Sequence, residues 1–365
     1  MSNHKKNIIL FITSIFFCSF IIEAYSYVKV NEKLKYGIGK LGNKRKVNSF
    51  INSNIKSLHH LRRHTKIKTD NLSTLIYNKV GKGNKKVLIQ GDSWAELIER
   101  DPKNIDLLLD IPDTQFLLAG TSSYSPSLMS AQLNVIRSQF GESPETIIAI
   151  IDQTDLGDEL CRYKNLREVI NGKVVVRPDP PGTPEHYTLH SLFSKHEVLK
   201  SNLPFTIRLI KYELLTDQIV DRMKNSKRKC NYNDILGILK NNISDLDLLY
   251  WDYIFTEYIN NVFSNSDLKH FIIVTHPHKY HLNGEYVSNI NDLIINNVNK
   301  SRYKDKITVL DPSNYYKNDG VNIEEIFIVN DSYSHLKPFY ITNYYLPKII
   351  QTLINLHSHA GSFSY

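Results

Sequence analysis

Three side chains of this sequence are of the types that could together form an activated nucleophile. Ser93 lies in Gly-Asp-Ser-Trp, where a short apolar run passes into a helical pattern, and Asp331 and His335 lie together in Asn-Asp-Ser-Tyr-Ser-His. A serine hydroxyl attacks a carbonyl when a histidine accepts its proton and an acid orients that histidine. These residues therefore indicate acyl-transfer chemistry centred on Ser93.

A structural role explains the Gly-Asp-Ser stretch equally well when it is taken alone. Aspartate and serine are both favoured N-cap residues, and either Asp92 or Ser93 could serve only to begin the following helix. The serine gains weight as a nucleophile because an acid and a histidine occur near the end of the chain, after the last predicted strand.

The elements that must position these residues are short apolar runs alternating with amphipathic segments. Buried strands of a parallel sheet have this pattern. The predicted strands are Val87–Gln90, Phe116–Ala119, Thr146–Ile151, His270–Thr275 and Ile307–Leu310. We therefore expect an α/β fold, with a doubly wound, flavodoxin-like parallel sheet of about five strands in three α/β/α layers. In such sheets ligands bind beyond the carboxyl ends of the strands, which is where Ser93 lies.

An insertion at about 160–265 separates the third and fourth predicted strands. Within it, Asn171-Gly172 between β-branched runs predicts a hairpin, Asp179–Pro184 an irregular loop, and much of 190–263 helix.

The N-terminal segment predicts export. Lys5 and Lys6 precede an apolar run from Ile8 to Ile22, which is the length of a signal-peptide core. We expect residues 1–28 to be a signal peptide or membrane anchor, 29–84 a basic stalk or linker, and 85–365 the catalytic-type domain. The expected location is the cell envelope, either membrane-anchored and facing the periplasm or exterior, or secreted if the segment is cleaved.

Charge, cysteine and histidine patterns exclude several other classes. The net charge of +8 is spread along the chain rather than gathered in one arm, so we predict no nucleic-acid binding. Of the three cysteines, Cys161 and Cys230 could pair in an oxidising compartment, and none has zinc spacing. The histidines of His276-Pro-His-Lys-Tyr-His281 lack helical i, i+4 geometry, so we predict neither a metal nor a cofactor.

With these motifs in place, residues 85–355 resemble the SGNH, or GDSL-like, hydrolases and esterases in block order. Gly91-Asp-Ser-Trp94 resembles the first block, Gly120-Thr-Ser-Ser-Tyr-Ser-Pro126 the second and Ile151-Asp-Gln-Thr-Asp155 the third. His335, followed by Leu-Lys-Pro and a helix, resembles the last block. The resemblance implies Ser93 as nucleophile, His335 as base and Asp331 as acid, with an oxyanion hole formed by Ser93, Ser123 and Thr154.

The sequence departs from the family pattern at three positions. Ser123 replaces the usual oxyanion glycine, and Thr154 replaces the usual asparagine of Gly-x-Asn-Asp. The strict Asp-x-x-His spacing would place Ser332 rather than Asp331 at the acid position. A backbone N–H can donate from a serine as from a glycine, while a threonine hydroxyl reaches less far than an amide.

The resulting expectation is a membrane-tethered serine esterase or O-acyl(acetyl)transferase that acts on an acylated envelope carbohydrate or another ester. The alternative is a catalytically impaired protein of the same fold that binds or assembles a polysaccharide. Residues at the carboxyl ends of the strands are expected on the rim of the site, namely Gly120, Tyr124, Asp155 and His276. Trp94 and Tyr333 are each open to a packing or a sugar-binding role.

Overall fold

The computed structural model describes ten stretches of the chain. They are residues 3–35, 72–163, 167–170, 173–176, 198–224, 245–276, 278–282, 290–312, 320–331 and 333–360. Several sequence predictions fall outside them: most of the stalk, the loop 179–184, the hairpin turn 171–172, Cys230 and Ser332.

Eight strands and twelve α-helices make up the described structure. The strands are β1 (Asn78–Val80), β2 (Lys85–Gly91), β3 (Thr114–Leu118), β4 (Thr146–Asp152), β5 (Arg167–Ile170), β6 (Lys173–Val176), β7 (His270–His276) and β8 (Ile307–Leu310). The helices are α1 (Asn3–Lys35), α2 (Ser93–Arg100), α3 (Pro102–Leu109), α4 (Pro126–Phe140), α5 (Gln153–Gly157), α6 (Phe205–Lys224), α7 (Asp245–Val262), α8 (Lys279–Leu282), α9 (Ile290–Lys300), α10 (Ile323–Ile326), α11 (Pro338–Tyr340) and α12 (Leu346–Ala360). Two π-helical stretches, Asp158–Tyr163 and Ile341–Tyr345, and two 3₁₀ turns, Leu72–Leu75 and Lys304–Lys306, complete them.

Six strands form one sheet in the order β1-β3-β2-β4-β7-β8. Five of them are parallel and coincide with the five predicted strands, so the prediction of an α/β fold is confirmed. The sixth strand, β1, pairs antiparallel with β3 at one edge and lies in the stretch expected to be stalk. Strands β5 and β6 form a separate antiparallel pair, where the Asn-Gly signal predicted a hairpin.

Helices cover both faces of the sheet. Val87 and Ile89 of β2 belong to the same buried cluster as Ile98 of α2 and Leu346 and Ile349 of α12. On the opposite face, Tyr258 of α7 donates to the side chain of Gln90 at 3.2 Å, and its ring lies 5.7 Å from that of Phe271 of β7. Every residue of the central strand β4 is buried. Helices cover both of its faces, which explains why successive residues of this strand are isoleucines.

The described residues divide into two compact units. One contains the sheet and its covering helices, and the other contains α1 and α6. In the second unit, Glu23 of α1 accepts hydrogen bonds from the backbone N–H groups of Phe205 and Thr206, at the start of α6. The ring of Tyr27 packs edge-on against Phe205 at 4.9 Å. Among the helices that the structure describes, none combines the length and the apolar character needed to cross a membrane.

Candidate active site

The junction of β2 and α2 places Ser93 at the start of a helix. Gly91 has a φ of +152°, and a Cβ there would lie 2.7 Å from the carbonyl oxygen of Ile150, so only glycine fits. Asp92 is the N-cap, and its Oδ1 accepts the backbone N–H of Trp94 at 2.8 Å. Since Asp92 fills the capping role, the hydroxyl of Ser93 is left for other contacts.

Ser93, His335 and Asp331 meet beyond the carboxyl end of β2. His335 Nε2 lies 2.7 Å from Ser93 Oγ, and His335 Nδ1 lies 2.6 Å from Asp331 Oδ2. The side chains of His335 and Asp331 are 19% and 16% exposed. The arrangement is that of a nucleophile, its base and the acid that orients the base, with solvent access to the histidine and the acid.

The loop that carries Asp331 and His335 is closed at its base by backbone pairing. Phe327 bridges Leu336, and the N–H of Ile328 donates to the carbonyl of His335 at 2.9 Å. Ser334, just before the histidine, has a left-handed φ of +57°. Asp331 sits four residues before His335, one more than in the family pattern, and the left-handed turn at Ser334 accommodates the longer spacing.

Asp331 is held as a carboxylate. Partial burial alone would raise the pKa of this group, but the hydrogen bond and charge of His335 outweigh burial and lower it. The backbone N–H groups of Tyr333 and His335 add hydrogen bonds of 3.0 and 2.9 Å to the same carboxylate.

The loop after β3 brings Ser123 to the same end of the sheet. Ser123 has a φ of +62°, in the left-handed region that glycine occupies most easily. Its carbonyl accepts from the hydroxyl of Tyr163. The position thus requires the backbone conformation that the family's glycine would give, and a serine adopts it here.

Thr154 follows β4, which lies next to β2. Its hydroxyl lies 3.5 Å from Asp92 Oδ2, the same oxygen that lies 3.2 Å from Ser93 Oγ. The Thr154 side chain is therefore near Ser93, and its hydroxyl is directed at Asp92 at the limit of hydrogen-bond distance.

The four residues expected on the rim lie inside the protein instead. Gly120, Tyr124, Asp155 and His276 are all buried. A Cβ on Gly120 would lie 2.3 Å from the backbone nitrogen of Glu96, so this glycine permits close contact between the loop and α2. The ring of His276 packs on Trp94, with centroids 4.3 Å apart.

Trp94 is buried and packs against residues of the site. Its ring lies 6.2 Å from that of His335 and 6.0 Å from that of Tyr345 in the second π-helical stretch. Tyr333 is 37% exposed, and its ring lies 6.0 Å from the His335 ring on the open side. Of these two aromatics, only Tyr333 is thus placed where a ligand could reach it.

The sequence pattern indicated an N-cap role for Asp92. In the structure Asp92 and Asp152 are both 2% exposed and lie next to Ser93 and Thr154. The sequence could indicate only that an aspartate lies at the carboxyl end of each of two predicted strands, where it can cap the next helix. Glu159, in the first π-helical stretch, accepts from Ser125 Oγ at 2.6 Å and caps the start of α4.

Within the described ranges, no three histidine, cysteine or acidic side chains are grouped so that they could hold a metal ion. Cys161 is disulfide-bonded and Cys18 is a free, exposed thiol. The expected partner of Cys161, Cys230, lies outside the described residues.

Comparison of the chain with protein-family models, with curated proteins and with solved structures found no match in any of the three.

Proposed function

We propose that this protein is a serine esterase or O-acyltransferase of the SGNH type. The observation that carries the proposal is the hydrogen-bonded series Ser93 Oγ, His335 Nε2, His335 Nδ1 and Asp331 Oδ2, with distances of 2.7 and 2.6 Å. The start of α2 supplies Ser93 and a distant loop supplies Asp331 and His335, and each residue lies within the reach that its role requires.

In the acylation step, Ser93 Oγ attacks the carbonyl carbon of an ester while its proton passes to His335 Nε2. Asp331 stabilises the imidazolium through Nδ1–H. The tetrahedral intermediate collapses, the alcohol leaves with the proton from His335, and an acyl-Ser93 remains. A water molecule then attacks the acyl group and gives its proton to His335. Release of the carboxylic acid restores Ser93. A sugar hydroxyl in place of water would make the reaction an acyl transfer.

The oxyanion in this mechanism is bound by backbone donors. Ser93 is the first residue of α2, so its N–H has no acceptor within the helix and points out of the helix N-terminus. Ser123 provides the second N–H, from a left-handed turn. Thr154 lies beside Ser93, but its hydroxyl is directed at Asp92, so the proposed oxyanion hole depends on the two backbone N–H groups. No cofactor takes part.

We propose an O-acylated carbohydrate of the cell envelope as the substrate, in a membrane-tethered or secreted protein. The support is the export signal predicted in residues 1–28, together with the family resemblance.

The competing proposal is a polysaccharide-binding protein that has lost catalysis. The direction of the Thr154 hydroxyl favours this binding protein, because the hydroxyl donates to Asp92 and not to the position of an oxyanion. The direct contact between Ser93 and His335 supports the enzyme, because a binding protein has no need of it.

Labelling of the full chain with a serine-directed fluorophosphonate tests the proposal. We expect phosphonylation at Ser93, mapped by mass spectrometry, and its loss in Ser93→Ala and His335→Ala. His270→Ala is the matched control, since His270 is the first residue of β7, at the opposite end of the sheet. Folded wild-type protein that stays unlabelled would overturn the enzyme and turn the search to polysaccharide ligands.

A further inference from the structure

Two aspartates end neighbouring strands beneath the nucleophile. Strands β2 and β4 are paired in parallel, with Gly91 opposite Ile150, and Asp92 and Asp152 follow at their carboxyl ends. Each caps the helix that comes next, since Asp92 Oδ1 accepts the N–H of Trp94 and Asp152 Oδ1 the N–H of Thr154, at 2.8 and 2.5 Å. Each carboxyl group therefore has one oxygen occupied by its cap.

The two carboxyl groups lie close enough for the charge of Asp92 to raise the pKa of Asp152. Asp152 Oδ2 is buried and has no hydrogen-bond partner among the described residues. A proton on Asp152 makes this oxygen a donor, and two carboxylates cannot hydrogen-bond to each other without one. Like charges so close and so deeply buried do not both ionise.

Burial and the neighbouring charge of Asp92 favour a proton on Asp152. Burial raises the pKa of both groups, and the negative charge of Asp92 raises that of Asp152 further. At Asp92 the N–H of Trp94 and the interaction with Asp152 oppose the rise in pKa, as does the charge of His335 when its ring is protonated. The pair thus carries one negative charge, on the carboxylate next to Ser93.

That carboxylate competes with the catalytic base. The hydroxyl of Ser93 has one proton and two acceptors within reach, His335 Nε2 at 2.7 Å and Asp92 Oδ2 at 3.2 Å. A serine whose proton points to Asp92 is not activated by the histidine. The reaction proposed above needs Asp92 to be the weaker acceptor.

We propose that Asp152 is a positioning residue for the nucleophile: by donating a hydrogen bond to Asp92, it satisfies the carboxylate that competes with His335 for the proton of Ser93. The inference rests on the proposed function and deepens it, because it adds a buried acid that acts through Asp92 and never touches substrate. Without the donor on Asp152, the serine hydroxyl turns from His335 toward Asp92.

Other ionisable groups surround the pair. Asp155 lies on α5, where it accepts the backbone N–H of Asp152 at 3.0 Å, and Asp158 follows in the adjoining π-helical stretch. His276 is opposite Asp152 in the pairing of β4 with β7, and His335 faces Asp92. Burial and the charges of Asp92 and Asp152 also raise the pKa of Asp155, so a second buried carboxyl beside the pair favours its protonated form.

The first test is independent of catalysis. Infrared spectra of the full chain at neutral pH should contain bands of protonated, buried carboxyl groups, and the component that disappears in Asp152→Asn should differ from the component that disappears in Asp155→Asn. Asp158→Asn is the matched control, since it removes a nearby buried aspartate that is not bonded to Asp92, and it should leave both components in place. A carboxyl absorption of unchanged intensity in Asp152→Asn would overturn the shared proton.

The second test is the rate of fluorophosphonate labelling of Ser93 as a function of pH. The side-chain amide in Asp152→Asn keeps a donor for Asp92 and an acceptor for the cap but does not titrate. We expect this variant to label at close to the wild-type rate and to lack the alkaline loss of rate caused by deprotonation of the pair. Asp152→Ala, which has no donor, should label about tenfold more slowly, the effect of one lost hydrogen bond of about 1.4 kcal/mol.

Equal slowing of Asp152→Asn and Asp152→Ala, with both variants folded by circular dichroism, would overturn the positioning role. A wild-type rate in Asp152→Ala would do the same. Failure of folded wild type to label at any pH would instead overturn the proposed function and the positioning role with it, and the infrared band would then report the shared proton alone.

Discussion

The carboxylate of Asp331 contacts His335 through both the ring and the backbone of the histidine: Oδ2 lies 2.6 Å from Nδ1 and accepts the backbone N–H at 2.9 Å. A single acid thereby fixes the position of the main chain and the orientation of the imidazole. This double contact depends on the four-residue spacing and on the left-handed turn at Ser334.

Replacement of Asp331 should abolish most activity. Asp331→Asn keeps the size of the side chain but favours the wrong tautomer of His335, and we expect kcat to fall about 10³- to 10⁴-fold. Ester hydrolysis by the purified full chain measures this fall. Asp305→Asn, an exposed aspartate outside the site, should keep wild-type kcat. Wild-type activity in Asp331→Asn would mean that another group orients His335.

Asp331 should also stabilise the fold in a pH-dependent way. Its pKa is lowered in the folded protein, so the folded state binds its proton less readily than the unfolded state. The stabilisation is fully present above the ordinary aspartate pKa of about 3.9 and is lost as the pH falls through the lower folded-state value. Thermal melting between about pH 2 and pH 6 should show the Tm advantage of wild type over Asp331→Asn shrinking toward the acid end. A constant difference across that range would contradict the prediction.

Ser123→Gly should relieve strain without a loss of catalysis. The φ of +62° costs a serine about 1 kcal/mol that a glycine avoids, and the backbone N–H stays in place. We expect an unfolding free energy unchanged or raised by up to about 1 kcal/mol, measured by urea denaturation, and an unchanged labelling rate at Ser93. The control is Ser122→Gly, which loses a hydrogen bond from the serine hydroxyl to Glu96 and should be destabilised. A large loss of labelling in Ser123→Gly would show that the serine side chain itself takes part.

Gly120→Ala should lower the stability of the folded protein. The added Cβ would lie 2.3 Å from the backbone nitrogen of Glu96 and 2.5 Å from the carbonyl carbon of Ala95, and backbone atoms cannot move aside cheaply. We expect a loss of about 2–4 kcal/mol in unfolding free energy. Gly141→Ala provides the comparison, because Gly141 has a φ of +65° with nothing within 4 Å of its Cβ position, and should cost only about 1 kcal/mol. Equal losses in the two variants would contradict the packing role.

The parts of this structure that follow local rules were predictable from sequence. Apolar runs bounded by polar residues indicated all five parallel strands, and Gly-Asp-Ser at a strand-to-helix junction indicated the position of Ser93. The spacing of Asp331 and His335 indicated that one loop carries both. Each of these features depends on a few consecutive residues, so that periodicity and turn chemistry suffice.

The parts that depend on contacts between distant segments were not predictable. Burial of His276 follows from its packing on Trp94, which is on a different strand-to-helix junction. Pairing of Asp92 with Asp152 follows from the order of β2 and β4 in the sheet, and short antiparallel β1 depends on the edge that β3 offers it. A single sequence states which residues end strands, but not which strands are neighbours.

Substitutions at Thr154 test the part that this residue takes in the proposed reaction. Its hydroxyl is directed at Asp92, so Thr154→Val removes a donor from the carboxylate beside Ser93 and leaves the shape of the side chain nearly unchanged. We expect labelling of Ser93 to slow about tenfold, while Thr154→Ser, which keeps the hydroxyl, stays close to wild type. Thr154→Asn would place the family's amide donor at the same position, and because an amide donor to the oxyanion typically contributes several kcal/mol, hydrolysis should accelerate if the side chain reaches the intermediate. A rate in Thr154→Val equal to wild type would mean that Trp94 N–H and Asp152 suffice to hold Asp92, and that the hydroxyl at position 154 has no part in the reaction.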